Sequence, residues 1–218
     1  MKKLESTLKN MLLVLTLVTA ISVAILASVN ALTQGPIAET QANILKEAIG
    51  QVVPPFDNNP AEQMDTVTLS GQTINIYAAM KDGEYVGSAV EARASGYGGE
   101  IVVLVGFDAQ GNIYGYSILS HAETPGLGSK VDTWFQKGQK GDIIGQSLEQ
   151  QELKVAKDGG TVDAITASTI TSRAFLQAVK TAYLAFKGNT KEADAASSAT
   201  TQVKSTDDDS SSSELTEE

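Results

Sequence analysis

Apolar and polar positions divide the chain into an uncharged run, a block of alternating segments, one amphipathic stripe and a polar end. No charged residue occurs from Met11 to Val29, and Lys2, Lys3 and Lys9 precede that run. A helix over it is roughly 28 Å long, close to the thickness of a bilayer hydrocarbon core. Lysines before the run and an acid-leaning chain after it place residues 1–10 in the cytoplasm and the remainder outside. The rival is a cleaved signal peptide, with Val29-Asn30-Ala31 as its cleavage site. Signal peptides usually have apolar regions of about 7–15 residues, so the longer run here predicts an uncleaved single-pass anchor over 11–29.

From Gln41 to Val52 the apolar residues Ile44, Leu45, Ala48, Ile49 and Val52 form a helical stripe, which Pro54 and Pro55 end. Alternating segments follow: "DTVTLS", "TINIYAAM", "EYVGSAVEA", "EIVVLVGFD" and "NIYGYSIL", separated by "GQ", "KDG" and "DAQGN". Period-two alternation with hairpin-type turns predicts an antiparallel sheet, with the continuous apolar run Ile101–Val105 as a fully buried strand. Leu153–Gly160 is a further candidate strand. Thr171–Lys187 is the strongest helical pattern, with Phe175, Val179, Tyr183 and Phe186 on one face and Gly188 in the place of a terminating glycine. From Lys191 to Glu218 the chain is small, polar and acidic, with too little apolar surface to offset its ordering entropy. The fold class predicted is α+β: a transmembrane helix, one antiparallel-sheet domain with packed helices, and a disordered acidic tail.

Composition narrows the chemistry. There is no cysteine and a single histidine, His121, which excludes disulfides, thiolate metal sites, iron–sulfur clusters and a His-rich metal centre. No G-x-S-x-G elbow accompanies His121, so a serine hydrolase has no support. A net charge of −10 argues against nucleic acid as a partner. Redox chemistry on this chain therefore needs an organic cofactor.

Two stretches stand out. "VDAITASTITSRAF" (Val162–Phe175) places Thr166, Ser168, Thr169, Thr171 and Ser172 within seven residues at the entrance to the final helix. A helix N-terminus offers free N–H groups and a positive dipole end to a phosphate, and small residues such as Ala167 and Ser168 admit close approach. An ordinary capped helix with polar neighbours is the alternative. "HAETPGLGSK" (His121–Lys130) carries Thr124-Pro125-Gly126, a turn, and two glycines flanking Leu127 that suit a loop laid against a flat ring. A plain surface turn is the alternative there.

Together, "HAETPGLG" and, about forty residues on, "DAITASTITS" resemble the FMN-binding domain family, and within it the G subunits of Rnf-type ion-translocating electron-transport complexes. The anchor, the membrane-proximal helix, "SGYGGEI", Trp134-Phe135 and the final helix extend the resemblance over most of the chain. In this family flavin mononucleotide is joined to a threonine by a phosphoester. The attachment pattern is an aspartate, then Ser/Thr-Gly-Ala-Thr, then a further Thr. Asp163 takes the aspartate place, recognised by a flavin transferase. Thr166 is the first hydroxyl, Thr169 the flavin-bearing threonine and Thr171 the later one. Ala167 and Ser168 stand where Gly and Ala are usual; Ser168 is the fallback attachment point.

The resemblance implies covalent FMN on Thr169, with Glu123, Thr124, Gly126, Leu127 and Gly128 near the ring, and no metal. It implies an electron carrier within a ferredoxin:NAD oxidoreductase that translocates ions, with no independent catalytic activity, in a bacterial inner membrane. The partners implied are the other subunits of that complex, a flavin transferase using FAD and magnesium, and the lipid bilayer. The domains expected are 11–29 anchor, 30–60 membrane-proximal helix and linker, 61–190 FMN-binding domain and 191–218 tail. His121, Glu123 and Lys130 are candidates for tuning the ring. Alternatives are the C subunit of the sodium-translocating NADH:quinone reductase and a membrane-tethered scaffold without cofactor.

Overall fold

The computed structural model describes residues 7–69 and 71–202, with side chains in the last helix as far as Gly188. The chain divides into two compact units, up to Lys46 and from Glu47 onward.

The first unit belongs to helix α1, Leu8–Val52, which is long and apolar enough to cross a membrane. Its hydroxyls are satisfied within the helix: Thr16, Thr19, Ser22 and Ser28 donate to the carbonyls of Leu12, Leu15, Val18 and Ala24 at 2.8–2.9 Å. Lipid offers no partner to a polar group, so this back-bonding lets serine and threonine sit in the apolar run. The expected break between the anchor and a second helix over Gln41–Val52 does not occur. Pro36 lies inside one continuous helix, and Pro54 and Pro55 follow its end.

In the second unit five strands form an antiparallel meander in the order β1-β2-β3-β4-β5: Met64–Leu69, Gln72–Lys81, Glu84–Ser95, Glu100–Asp108 and Ile113–Ser120. The β2–β3 turn has Asp82 and Gly83 both at positive φ (54° and 82°), the geometry that a two-residue hairpin with right-twisted strands requires. β4 is buried on both faces, as its unbroken apolar run predicts. One face, with Ile101, Val103, Val105 and Phe107, belongs to the core that includes the last helix, α3 (Thr169–Gln202). Phe107 meets Tyr183 and Phe186 at 5.8 and 5.0 Å between ring centroids. Phe175 stacks on Phe135 at 4.4 Å. On the other face Gly106 and Gly115 are cross-strand partners that make a flat floor under Val52 at the end of α1. A Cβ at Gly106 would overlap the Val52 carbonyl.

Two local expectations change. Leu153–Gly160 is no strand: a single bridge, Val155 to Val162, closes a loop around the 3-10 turn Ala156–Asp158, and Gly159 at φ 81° turns the chain back. Nor does Gly188 end α3, whose backbone runs on to Gln202; the Lys-, Glu- and Ala-containing segment that follows favours helix and holds no proline. The tail expected over 191–218 thus starts within that helix, and from 203 onward it lies outside the described residues.

Candidate functional site

The loop after β5 is shaped by local hydrogen bonds. Pro125 and Gly126, at φ 74°, form the centre of a turn closed by Leu127 N–H donating to Thr124 C=O at 3.1 Å. Gly126 N–H donates to Ser129 Oγ at 2.9 Å. Gly128–Lys130 then makes a 3-10 turn that runs into α2, Val131–Trp134. The Tyr116 hydroxyl holds α2, donating to Val131 C=O at 2.8 Å and accepting from Phe135 N–H at 3.2 Å. Burial pushes the Tyr116 phenol well above its usual range. Trp134 Nε1–H donates to the Asp163 carbonyl at 2.8 Å, fastening this region to the hydroxyl-rich segment.

Glu123 lies at the centre. Its carboxylate is 5% exposed; Oε2 accepts from the Thr171 hydroxyl at 2.6 Å and Oε1 from Gly98 N–H at 3.0 Å. One side chain therefore joins the loop, the start of α3 and the tip of the β3–β4 hairpin. Close packing enforces this: a Cβ at Gly128 would lie 2.5 Å from Glu123 Oε2, and one at Gly96 would overlap Oε1. His121 is a local brace, its Nδ1 accepting from Glu123 N–H at 3.1 Å and its Nε2 3.4 Å from Asp132.

The five hydroxyls at the helix entrance divide their work. Ser172 is fully buried; its Oγ accepts from Ile165 N–H at 2.9 Å and donates to Ser168 C=O at 3.0 Å, fixing the approach to the helix. Thr171, 1% exposed, is committed to Glu123. Ser168 is buried, Thr166 is exposed, and Thr169 is half-buried as the first residue of α3. The first intrahelical bond is Ser172 N–H to Ser168 C=O, so Thr169, Ile170 and Thr171 present the N–H groups that a helix start leaves without helical partners. Ala167 turns the chain there at φ 63°, a conformation rare outside glycine.

A cleft of about 430 Å³ opens between the two stretches, within the size range that suits small cofactors. From the loop it is lined by Glu123, Thr124, Leu127 and Gly128, and from the helix entrance by Ala167, Ser168, Thr169 and Thr171. Thr166, Gly126, Asp163, His121 and Lys130 are outside its lining. Sequence reasoning missed two apolar walls, Tyr97, 72% exposed, and Ile170, 50% exposed. The signal for Tyr97 was present: it is an aromatic between Gly96 and Gly98, at a turn closed by Gly96 N–H to Gly99 C=O, where the side chain stays largely exposed. It also missed Lys157, whose Nζ is 3.4 Å from Thr169 Oγ1. A flat apolar group between Tyr97, Leu127 and Ile170 with an anionic end at the start of α3 fits this donor set.

These features fit a flavin-nucleotide class of domain, and the FMN-binding domain family matches residues 96–184. Over a longer span the chain resembles the G subunit of the ion-translocating oxidoreductase complex of Aliivibrio fischeri, 36% identical over 198 residues that cover 86% of this chain and 94% of the relative. The corresponding G subunits of Vibrio cholerae (36% over 180 residues, 78% and 86% covered) and Photorhabdus laumondii (37% over 177 residues, 76% and 84%) are similar to it as well. The chain belongs to the family formed by the G subunits of ion-translocating oxidoreductase complexes.

Proposed function

We propose that this protein is the electron-carrying subunit of an Rnf-type complex, with FMN held through a phosphoester on Thr169, and that its electron transfer is coupled to ion movement. The observation that carries the attachment is the division of hydroxyls. Of the helix-entrance hydroxyls facing the cleft, Thr171 is consumed by Glu123 and Ser168 is buried, whereas Thr169 is half-open at the first helical position. The fit of Tyr97, Leu127 and Ile170 to a flat ring supports the flavin, and the G-subunit relatives favour the Rnf assembly over the quinone reductase.

Bound FMN supplies the one- and two-electron chemistry that no side chain here provides. The chain's own residues bind and orient. The first N–H groups of α3 receive the phosphate end. Glu123 holds the hairpin tip and the helix start at fixed separation, and Tyr97, Leu127 and Ile170 form the apolar walls. Helix α1 anchors the carrier in the inner membrane, the lysine-bearing N-terminus in the cytoplasm and the FMN-binding domain outside it. A flavin transferase using FAD and magnesium installs the group at the sequence headed by Asp163.

The test is the mass of the tryptic peptide ending at Arg173 from natively matured protein, together with the Thr169→Val variant. We expect an FMN adduct on Thr169 in the parent and a folded, colourless variant. A variant that keeps flavin fluorescence after denaturation overturns the attachment at Thr169; a parent with bare polypeptide mass and no visible absorption leaves a scaffold without cofactor.

A further inference from the structure

The hydroxyl of Thr169 is not surrounded by neutral groups alone. Lys157 reaches it from a separate loop, its Nζ 3.4 Å from Thr169 Oγ1. That loop is closed on itself: Ala156 N–H donates to Val162 C=O at 2.9 Å, Val162 N–H to Lys154 C=O at 3.1 Å and Asp158 N–H to Val155 C=O at 2.8 Å. Val155 and Val162 are buried in the core, so the loop is a fixed platform.

The charges around Lys157 are arranged to leave its ammonium available. The adjacent carboxylate, Asp158, is claimed by Arg173, whose Nε and Nη2 donate to its two oxygens at 2.7 and 2.6 Å. Arg173 lies four residues after Thr169, on the same face of α3. The Asp158–Arg173 fork therefore does two things. It pins the loop to the start of α3 beside Thr169, and it engages the carboxylate adjacent to Lys157 in sequence. Lys154 on the same loop is paired with Glu152 at 2.8 Å, while among the described residues no ion pair uses Lys157. An ammonium held against a neutral hydroxyl gains little. A phosphate esterified to that hydroxyl would put an anion where the ammonium already reaches.

We propose that Lys157 is the counter-charge of the flavin phosphate at Thr169, held in place by the Asp158–Arg173 fork. This rests on Thr169 as the attachment point and goes beyond it, because the helix N-terminus and hydroxyls alone do not require a cation from another loop. Lysine suits the place, since a compact charge on a flexible stem neutralises a singly anionic diester without needing a planar, two-pronged fit.

The test uses the full chain in detergent, prepared with and without maturation by a flavin transferase. Lysines are converted to their 13C-dimethyl form, which keeps the charge, and the Lys157 signal is assigned by its loss in Lys157→Arg. Its titration is then followed in both preparations. We expect the Lys157 ammonium to titrate about 0.5 pH units or more higher in the flavin-loaded chain, with the difference shrinking in 1 M salt. Identical titration of Lys157 in loaded and unloaded chains overturns the assignment. Peptide mass separates the two claims: an adduct at a residue other than Thr169 refutes the attachment itself, whereas an adduct on Thr169 with an indifferent Lys157 refutes only the counter-charge.

Discussion

Replacing Glu123 by alanine removes the acceptor of two hydrogen bonds, and the two donors left behind are not equivalent. Gly98 is exposed at the hairpin tip, so water can take its N–H, and the loss there is small. Thr171 is 1% exposed, so its hydroxyl is stranded, at a cost of about 1–3 kcal/mol for an unsatisfied buried group. Among the described residues no ion pair uses Glu123, so removing its buried carboxylate returns part of that. We expect Glu123→Ala to destabilise the unmatured chain by roughly 2 kcal/mol, or about 4–8 °C for a chain of this size. In Thr171→Val the donor disappears with little change of shape, so the double variant should show a coupling of about 1 kcal/mol. Urea unfolding followed by tryptophan fluorescence suits the question, because Trp134 is the only tryptophan and bonds to the Asp163 carbonyl beside the site. Additivity within about 0.3 kcal/mol would mean that Glu123 and Thr171 do not share the bond that organises the cleft.

Other consequences can be measured on the same unmatured chain. Ala167 pays about 1–2 kcal/mol for φ 63°, and glycine loses part of that through a freer unfolded chain, so Ala167→Gly should raise stability by about 0.5–1 kcal/mol; an unchanged urea midpoint argues against the strain. Gly106→Ala puts a methyl into the Val52 carbonyl and should lower stability by about 1–3 kcal/mol, whereas Gly50→Ala, in helix α1 with no atom within 4 Å and no positive φ, should not lower it; equal losses would contradict the glycine floor. Burial, and next the charge of Glu91, push the Tyr77 phenol up to about 12. The unfolded phenol ionises near 10, so between these values the unfolded state holds fewer protons and stability falls as pH rises. That contribution is fully present below about pH 10 and lost through about 12; tyrosinate absorbance together with far-ultraviolet circular dichroism should show Tyr77, compared with Tyr77→Phe, ionising only as the fold is lost.

The sheet was legible because its signals are local. Alternation marks β2 and β3, Asp82-Gly83 marks their turn, and an unbroken apolar run marks β4 as covered on both faces. The Thr124–Leu127 turn was equally readable, since proline and glycine each fix one backbone angle. The contact between Glu123 and Thr171 was not, because it joins residues 48 apart and only the packing of α3 on the sheet brings them together. For the same reason Gly128 was read as leaving room for a ring, whereas its missing side chain also makes room for the Glu123 carboxylate. Leu153–Gly160 misled because Leu153 and Val155 alternate as in a strand, yet Gly159 and Gly160 close the segment into a loop before it can pair. The Gln41–Val52 stripe did not show that its helix continues the anchor, because the two runs carry different apolar patterns and Pro36, which removes one internal hydrogen bond from a helix, lies between them.

Crowding five hydroxyls at one helix entrance follows from two demands made of the same backbone. The entrance must be rigid, and it must leave one oxygen open. Ser172 and Thr171 meet the first demand through Ile165 and Glu123, each using a donor or acceptor that apolar residues cannot supply. Ser168 and Ala167 keep the approach narrow and small, at the cost of positive φ where the related pattern has glycine. Thr169 is then the hydroxyl set at the first helical residue, facing the cleft, with Lys157 on its far side. A site that merely capped a helix would need Ser172 or Thr171 alone and would gain nothing from a lysine on a pinned loop. The proposed phosphoester would use all of them, because such a tether would fix one end of the group only and leave the walls of Tyr97, Leu127 and Ile170 to orient the other.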